Sequence, residues 1–447
     1  MILPRAFEER LIDTLGKDEF TAFKASLEQD SPTSIRINRH KFQVKPNLEQ
    51  IPWCESGYYL PERPNFSSDP LWHSGAYYVQ EASSMLLEQA FKKIKSENQN
   101  ALKILDLCAA PGGKSTHLAS LCNSEDVLVA NEIIKSRVGI LSENIKKQGY
   151  WNTIITSADS KDFAELGELF DVILVDAPCS GEGLFRKDHA AIDHWNSENI
   201  QVCELRQKRI LNDAIKCLKP NGYLIYSTCT YNPGENKNQV EMLLDKGFEA
   251  VEFTILGQAV SSFQCYPHLF KGEGFFISLL RKTESYGSSV GRKKHTNLKD
   301  IKPQNEWMHY LKMEVDVKQF NDKLIYSSSD TFEFFTEHLN TIYCSSIGCE
   351  LGTIKNHGFT PSEYLPFSLA VNQENFSILN LDQTQALHYL NKQIIPNSDN
   401  QKGYVLLAFK DSLLGFGKFA GNRINNLYPS EWRLRKPVGE NQHFSLQ

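Results

Sequence analysis

Apolar and polar positions change period several times along this chain of 447 residues. Between about residue 101 and residue 282, short apolar runs alternate with segments of helical period. ALKILDLC, DVLVANEI, NTIITSAD, FDVILVDAP, GYLIYSTC, FEAVEF and GFFISLL read as strands. KSTHLASL follows the first run, and KSRVGILSENIKKQG, apolar at Val138, Leu141 and Ile145, follows the second. This alternation predicts an α/β fold, a parallel sheet wrapped by helices. The last two runs leave too little room for a helical crossover, so the final strand is expected to enter antiparallel, as a hairpin. Residues 1–95 mix helix-like and extended segments, and SYGSSVGRKKHTNLKD, rich in Ser, Gly and Lys, reads as a linker. The expected division is 1–95, 96–283, a basic linker at 284–303, a mixed segment at 304–380, and a Gly- and aromatic-rich module at 381–447. No internal repeat is evident.

Composition acts mainly by exclusion. With 41% apolar and 23% charged residues, the chain reads as globular, with length for two to four domains. No apolar run approaches the ~18–20 residues that span a bilayer. MILPRAFEERLIDTLGKDEF interrupts its apolar positions with acids and lacks a signal-peptide core. A cytoplasmic protein with no membrane partner is expected. Ten cysteines without a CxxC pair read as reduced thiols rather than disulfides or a zinc site. The twelve histidines show no metal-ligand spacing, so no metal is expected. Net charge is −6, yet cations cluster at Arg281, Lys282, Arg292, Lys293, Lys294, Lys299 and Lys302, and again from Lys402 to Lys436. Solvated faces and substrate-holding appendages both fit those clusters.

The chemistry gathers at strand ends. In CAAPGGKST, Gly112 and Gly113 let backbone approach a ligand closely, and the helix that follows presents its N-terminal amides. A Walker A phosphate loop fits poorly: Cys108 stands where glycine is needed, and Pro111 removes an amide donor. Glu132, Asp159 and Asp176 end the second, third and fourth strands, where open α/β sheets bind ligands. There Glu132 suits ribose hydroxyls and Asp159 an adenine edge; each acid also suits a helix cap or surface loop. An acidic rim without a pyrophosphate fingerprint fits a cationic nucleoside cofactor, and S-adenosylmethionine is one. Two apolar strands then run into tight turns carrying Cys179, in DVILVDAPCSG, and Cys229, in GYLIYSTCTYNPGEN. A thiol pair beside a cofactor site points to covalent catalysis at a poorly reactive carbon. Inert buried cysteines are the alternative.

DLCAAPGGKST, DAPCSGEGLFRKD and STCTYNPGEN closely resemble the signature segments of the Nop/Sun family of RNA cytosine-5 methyltransferases. SIRIN at 34–38 and YYVQEASSM at 77–85 match the family's N-terminal pattern, and GYVLLAFKDSLLGFGKFAGNRINNLYPSEWR looks like the PUA-like module of its bacterial small-subunit rRNA methyltransferase F subgroup. The resemblance implies a Rossmann-like methyltransferase domain with a seven-stranded, mostly parallel sheet. An N-terminal α+β RNA-binding extension would precede it and a C-terminal PUA-like β-barrel would end the chain. It further implies that Cys229 attacks carbon 6 of cytosine, that Cys179 helps remove the carbon-5 proton and release product, and that Asp176 bonds the N3/N4 edge of the base. Cys108, Ala109, Ala110, Pro111, Gly112, Gly113 and Lys114, with Glu132, Asp159 and Asp176, would hold S-adenosylmethionine. The thiol of Cys108 has no assigned task, and Lys187 either neutralises a phosphate or is simply solvated. The expected substrate is a flipped or single-stranded cytosine in 16S rRNA of the small ribosomal subunit, with tRNA as the other candidate, and the expected state is a monomer. A ribosome-assembly factor that binds RNA without turnover is the remaining class; it would need neither the thiols nor the cofactor loop.

Overall fold

The computed structural model describes residues 1–285, 297–302, 304–313, 315–355, 358–397, 401–435 and 446. Of the expected basic clusters, Arg292, Lys293, Lys294 and Lys436 lie outside the described residues, as does most of the expected linker. No helix among the described residues is long and apolar enough to cross a membrane.

Five parallel strands form the centre of a nine-stranded sheet, in the spatial order Leu218–Thr228, Phe170–Asp176, Lys103–Asp106, Val127–Asn131 and Thr153–Thr156. Alternate side chains enter two separate cores. Leu105, Val129, Ile154, Ile173 and Val175 face one, and Ile104, Leu128, Val172, Leu174 and Ile225 face the other. Burial on both faces explains why these runs are apolar throughout rather than alternating. Strand order reverses beside Lys103–Asp106, and such a reversal opens a crevice at the C-terminal ends of the strands. The glycine-rich loop and both cysteine turns leave the sheet at those ends.

Phe275–Lys282 runs antiparallel to Phe248–Ala250, the run before it, and also to Leu218–Thr228. The sheet has nine strands rather than seven for two reasons. Phe248–Ala250 and Ser262–Cys265 both pair with Phe275–Lys282, so the outer edge is split. At the opposite edge, Cys344–Ile347 of the middle segment pairs with Thr153–Thr156. The run FEAVEF also breaks: after Ala250, Phe253–Ile255 turns away into a hairpin with Gln258–Val260.

The flanking segments share cores with the sheet. The N-terminal region holds a three-stranded sheet of Gly57–Leu60, Thr33–Ile37 and Tyr77–Val79, and its helix Leu87–Glu97 lays Leu87, Ala90, Phe91 and Ile94 on one face of the central sheet. The middle segment forms a five-stranded antiparallel sheet and packs Phe332, Phe334, Phe335 and Leu339 on the other face. The C-terminal sheet runs Ser377–Asn380, Tyr404–Phe409, Ser412–Ala420, Arg423–Asn426 and Ile395–Pro396. Its two edge strands do not pair with each other, so among the described residues the expected barrel is an open half-barrel. Val405, Leu407, Tyr428 and Trp432 of this module share one core with Ile35, Tyr58, Leu71 and Tyr77 from the N-terminal region.

Candidate active site

Phe170–Asp176 and Leu218–Thr228 are parallel neighbours, with Asp176 opposite Ser227. The turns that follow them therefore lie side by side, and Cys179 Sγ comes within 3.2 Å of Cys229 Sγ. Neither forms a disulfide. The hydrogen bond to Cys229, followed by burial, holds the Cys179 thiol well above its ordinary value.

Two buried carboxylates tie the turns together. Ser180 N and Gln207 Nε2 each donate to Glu235 at 2.9 Å. Thr230 Oγ1 lies 2.8 Å from Ser180 Oγ and donates to Glu182 Oε2 at 3.0 Å. Burial pushes Glu235 above the usual carboxylate range.

The glycine-rich loop leaves Asp106 and enters the helix Gly113–Leu121. Gly112 has φ +114°, a conformation side chains resist, and a Cβ there would lie 3.3 Å from both Asn144 Cβ and Leu141 Cδ1. A Cβ on Gly113 would lie 3.3 Å from Tyr78 Cε1. Lys114 Nζ donates to Asp176 Oδ2 at 2.8 Å, and Ser227 Oγ donates to Oδ1 at 2.8 Å. Burial alone would lower Lys114, but Asp176 outweighs it and the ammonium is held above its ordinary value. Beneath the loop, burial pushes Asp106 up to about 7 despite the Ser115 hydroxyl at 2.6 Å, and its Oδ1 has no hydrogen-bond partner. A cavity of about 180 Å³ lies between Cys108, Ala109, Ala110, Pro111, Gly113, Lys114 and Asp176 on one side and Tyr78, Gln80, Glu81 and Ser84 on the other.

Glu132 and Asp159 sit farther along the sheet and do not line that cavity. Glu132 is buried, accepting from Ile134 N at 2.8 Å with Arg137 Nη1 at 3.3 Å. Asp159 caps the helix Ser160–Ala164 in a reciprocal box with Asp162 and binds Arg209 through both oxygens, at 2.9 and 3.1 Å. The structure thus brings Cys179, Cys229, Asp176 and the loop 108–114 into one crevice. It leaves Asp159 serving its own helix. Lys187 is exposed, on the wall of a surface cleft of about 1020 Å³ that also holds Arg63.

The chain is similar to ribosomal RNA small subunit methyltransferase F of Vibrio atlanticus, at 30% identity over 92% of this chain and 93% of that protein. It is 31% identical to the protein of that name from Shewanella loihica, over 94% of this chain and 92% of the relative. The chain belongs to the methyltransferase F family. Three family descriptions match along it: 16S rRNA methyltransferase RsmB/F at 93–281, the N-terminal domain of 16S rRNA methyltransferase RsmF at 3–82, and the methyltransferase RsmF PUA domain at 376–434. A solved methyltransferase homolog protein from Pyrococcus horikoshii is 27% identical with TM-score 0.52, over 62% of this chain and 95% of that one. NSun6 from Pyrococcus horikoshii, at 22% identity and TM-score 0.54 over 63% and 99%, shares the fold.

In this methyltransferase F chain, sequence reasoning missed Glu182, Glu235, Gln207 and Tyr78. A signal existed for the two acids: each lies inside a cysteine segment, in a turn rich in small residues, where a carboxylate facing inward gathers backbone and hydroxyl donors. Tyr78 carried no such signal, because its approach to Gly113 is set by tertiary packing.

Proposed function

We propose that the chain methylates carbon 5 of a cytosine in 16S rRNA, with S-adenosylmethionine as methyl donor and Cys229 as nucleophile. The observation that carries this reading is the 3.2 Å approach of Cys179 and Cys229 beside the Lys114–Asp176 pair. The residues at the crevice fit the cofactor: a Cβ on Gly113 would close on Tyr78 across the cavity, Asp106 Oδ1 lacks a partner, and Ile133 and Ile134 are about half exposed next to Glu132. Cys108–Lys114, Asp106, Glu132 and the two isoleucines would hold it, and when bound it supplies an electrophilic methyl group. Asp159 would join only by releasing Arg209.

Carbon 5 of cytosine is too weak a nucleophile to react unaided. Addition of the Cys229 thiolate to carbon 6 turns carbon 5 into an enamine-like centre. Asp176, held by Lys114 and Ser227, meets the N3/N4 edge and stabilises the charge that develops during addition. After methyl transfer Cys179, having given its own proton to solvent, takes the one on carbon 5; the electron pair freed there restores the ring double bond and expels Cys229 from carbon 6 as a thiolate. The attack is perpendicular to the ring, so the base must be out of its stack.

The relatives' names support 16S rRNA over tRNA. The purified chain would be incubated with cofactor and either small ribosomal subunits or tRNA from a strain lacking the gene, followed by bisulfite sequencing. A new conversion-resistant cytosine in 16S rRNA is expected. Protection in tRNA alone, or nowhere, would overturn the proposal.

A further inference from the structure

We infer that Arg10 is a positioning residue for the transfer reaction, acting through Glu182 to hold the Cys179 and Cys229 turns against each other. This rests on the function proposed above. Glu182 is fully buried and three residues beyond Cys179. Its Oε1 accepts from Arg10 Nη2 at 2.6 Å and Trp195 Nε1 at 2.8 Å; its Oε2 accepts from Thr230 Oγ1 at 3.0 Å and Tyr231 N at 3.3 Å. The next residue, Gly183, donates its amide to the carbonyl of Cys229 at 2.9 Å. One carboxylate therefore spans the segment after Cys179, the segment after Cys229, and a helix, Arg5–Leu15, from the other end of the chain.

A buried carboxylate persists only where charge and donors compensate its lost hydration. Among the described residues, Arg10 is the cation paired with Glu182. Its helix is seated on the same turns: Phe7 packs against Phe185, Trp195 and Tyr231 with ring centres 5.1, 6.0 and 6.5 Å away. Removing the Arg10 charge leaves Glu182 with neutral donors alone. The carboxylate then gains by moving toward water, and Gly183 moves with it, pulling on Cys229. Since the two sulfurs must keep separate roles at close quarters, a small shift is felt in the rate. The N-terminal unit, expected only to grip RNA, thus also sets the catalytic geometry.

The test uses the full chain, small ribosomal subunits and S-adenosylmethionine, and measures single-turnover transfer at saturation together with the Kd of each ligand. Arg10→Met should slow transfer at least about tenfold, or about 1.4 kcal/mol, with both Kd values within about twofold. Arg10→Lys should recover most of the rate. The double variant Arg10→Met/Glu182→Gln removes the unpaired buried charge, and should melt near the wild type yet remain slow. A wild-type rate in Arg10→Met or in the double variant overturns the inference, as does a weakened RNA Kd with an unchanged saturated rate. Absence of transfer by the wild type itself would count against the proposed function instead.

Discussion

Replacing Gly112 by alanine asks whether the loop at 108–114 is a cofactor cradle held in a fixed shape. Gly112 sits at φ 114° and ψ 4°, immediately before the helix. A non-glycine residue in left-handed backbone costs about 1–2 kcal/mol. The new methyl group would also press on Leu141 Cδ1 and Asn144 Cβ, each at 3.3 Å. Neither neighbour gives way easily: Leu141 is fully buried, and Asn144 Nδ2 donates to Pro111 O at 2.8 Å, holding the loop itself. Taking the lower part of the ~1–3 kcal/mol for overpacking, the total is about 2–3 kcal/mol. The loop can keep its shape and lower the stability of the chain, or relax and lose the ligand, and the two losses should sum to that figure. Titration calorimetry with S-adenosylmethionine reads the second, at about 1.4 kcal/mol per tenfold in Kd. A melt reads the first, at only a few degrees in a chain this large. If Kd stays within about twofold and the melting temperature within about a degree, the loop is not a cradle held in a fixed shape.

Lys114→Met removes the cation from Asp176 and, among the described residues, leaves Ser227 to orient it; because Asp176 is partly exposed, the transfer rate should fall about tenfold rather than more, and an unchanged rate would show the pair to be idle. Asp106 has its carboxyl raised by burial from 3.8 to about 7, so in that window the folded chain holds a proton the unfolded chain has lost, and stability declines as pH rises. Asp106→Asn should remove a slope of up to about 1.4 kcal/mol per pH unit from denaturant unfolding measured across that window; a slope identical to the wild type would contradict the assignment. Truncation after Phe376 uncovers Ile35, Tyr58, Leu71 and Tyr77, so it should broaden and lower thermal unfolding instead of deleting an independent RNA-binding module; an unaltered melt would refute the shared core.

The central sheet was legible because its five parallel strands are buried on both faces and separated by helices, which leaves near-continuous apolar runs at regular intervals. Its edges were not. Cys344–Ile347 joins Thr153–Thr156 across almost two hundred residues, and nothing local in CSSI announces that partner. The same contrast holds at the site. Cys179, Cys229, Asp176 and the glycine loop lie in compact segments whose residue types are individually uncommon, and parallel neighbouring strands bring those segments together. Arg10 reaches Glu182 across 172 positions, and its helix reads as any amphipathic surface helix until the aromatic cluster beneath it is seen. Asp159 was left open between a helix cap and a cofactor ligand; the cap is formed, and its residual capacity to meet an adenine depends on Arg209.

Division of labour between the two thiols is the claim on which the mechanism stands, and trapping tests it most directly. Cys229→Ala, Cys179→Ala and the double variant would each be incubated with small ribosomal subunits and S-adenosylmethionine, then resolved on a denaturing gel. Cys229→Ala never attacks carbon 6 and should show neither methylation nor a retarded band. Cys179→Ala should still add to the base and receive methyl, but release it slowly, leaving protein covalently on RNA. The retarded band is therefore expected with Cys179→Ala alone. A band with Cys229→Ala instead would make Cys179 the nucleophile, and two variants that both remain active without trapping would contradict covalent catalysis itself.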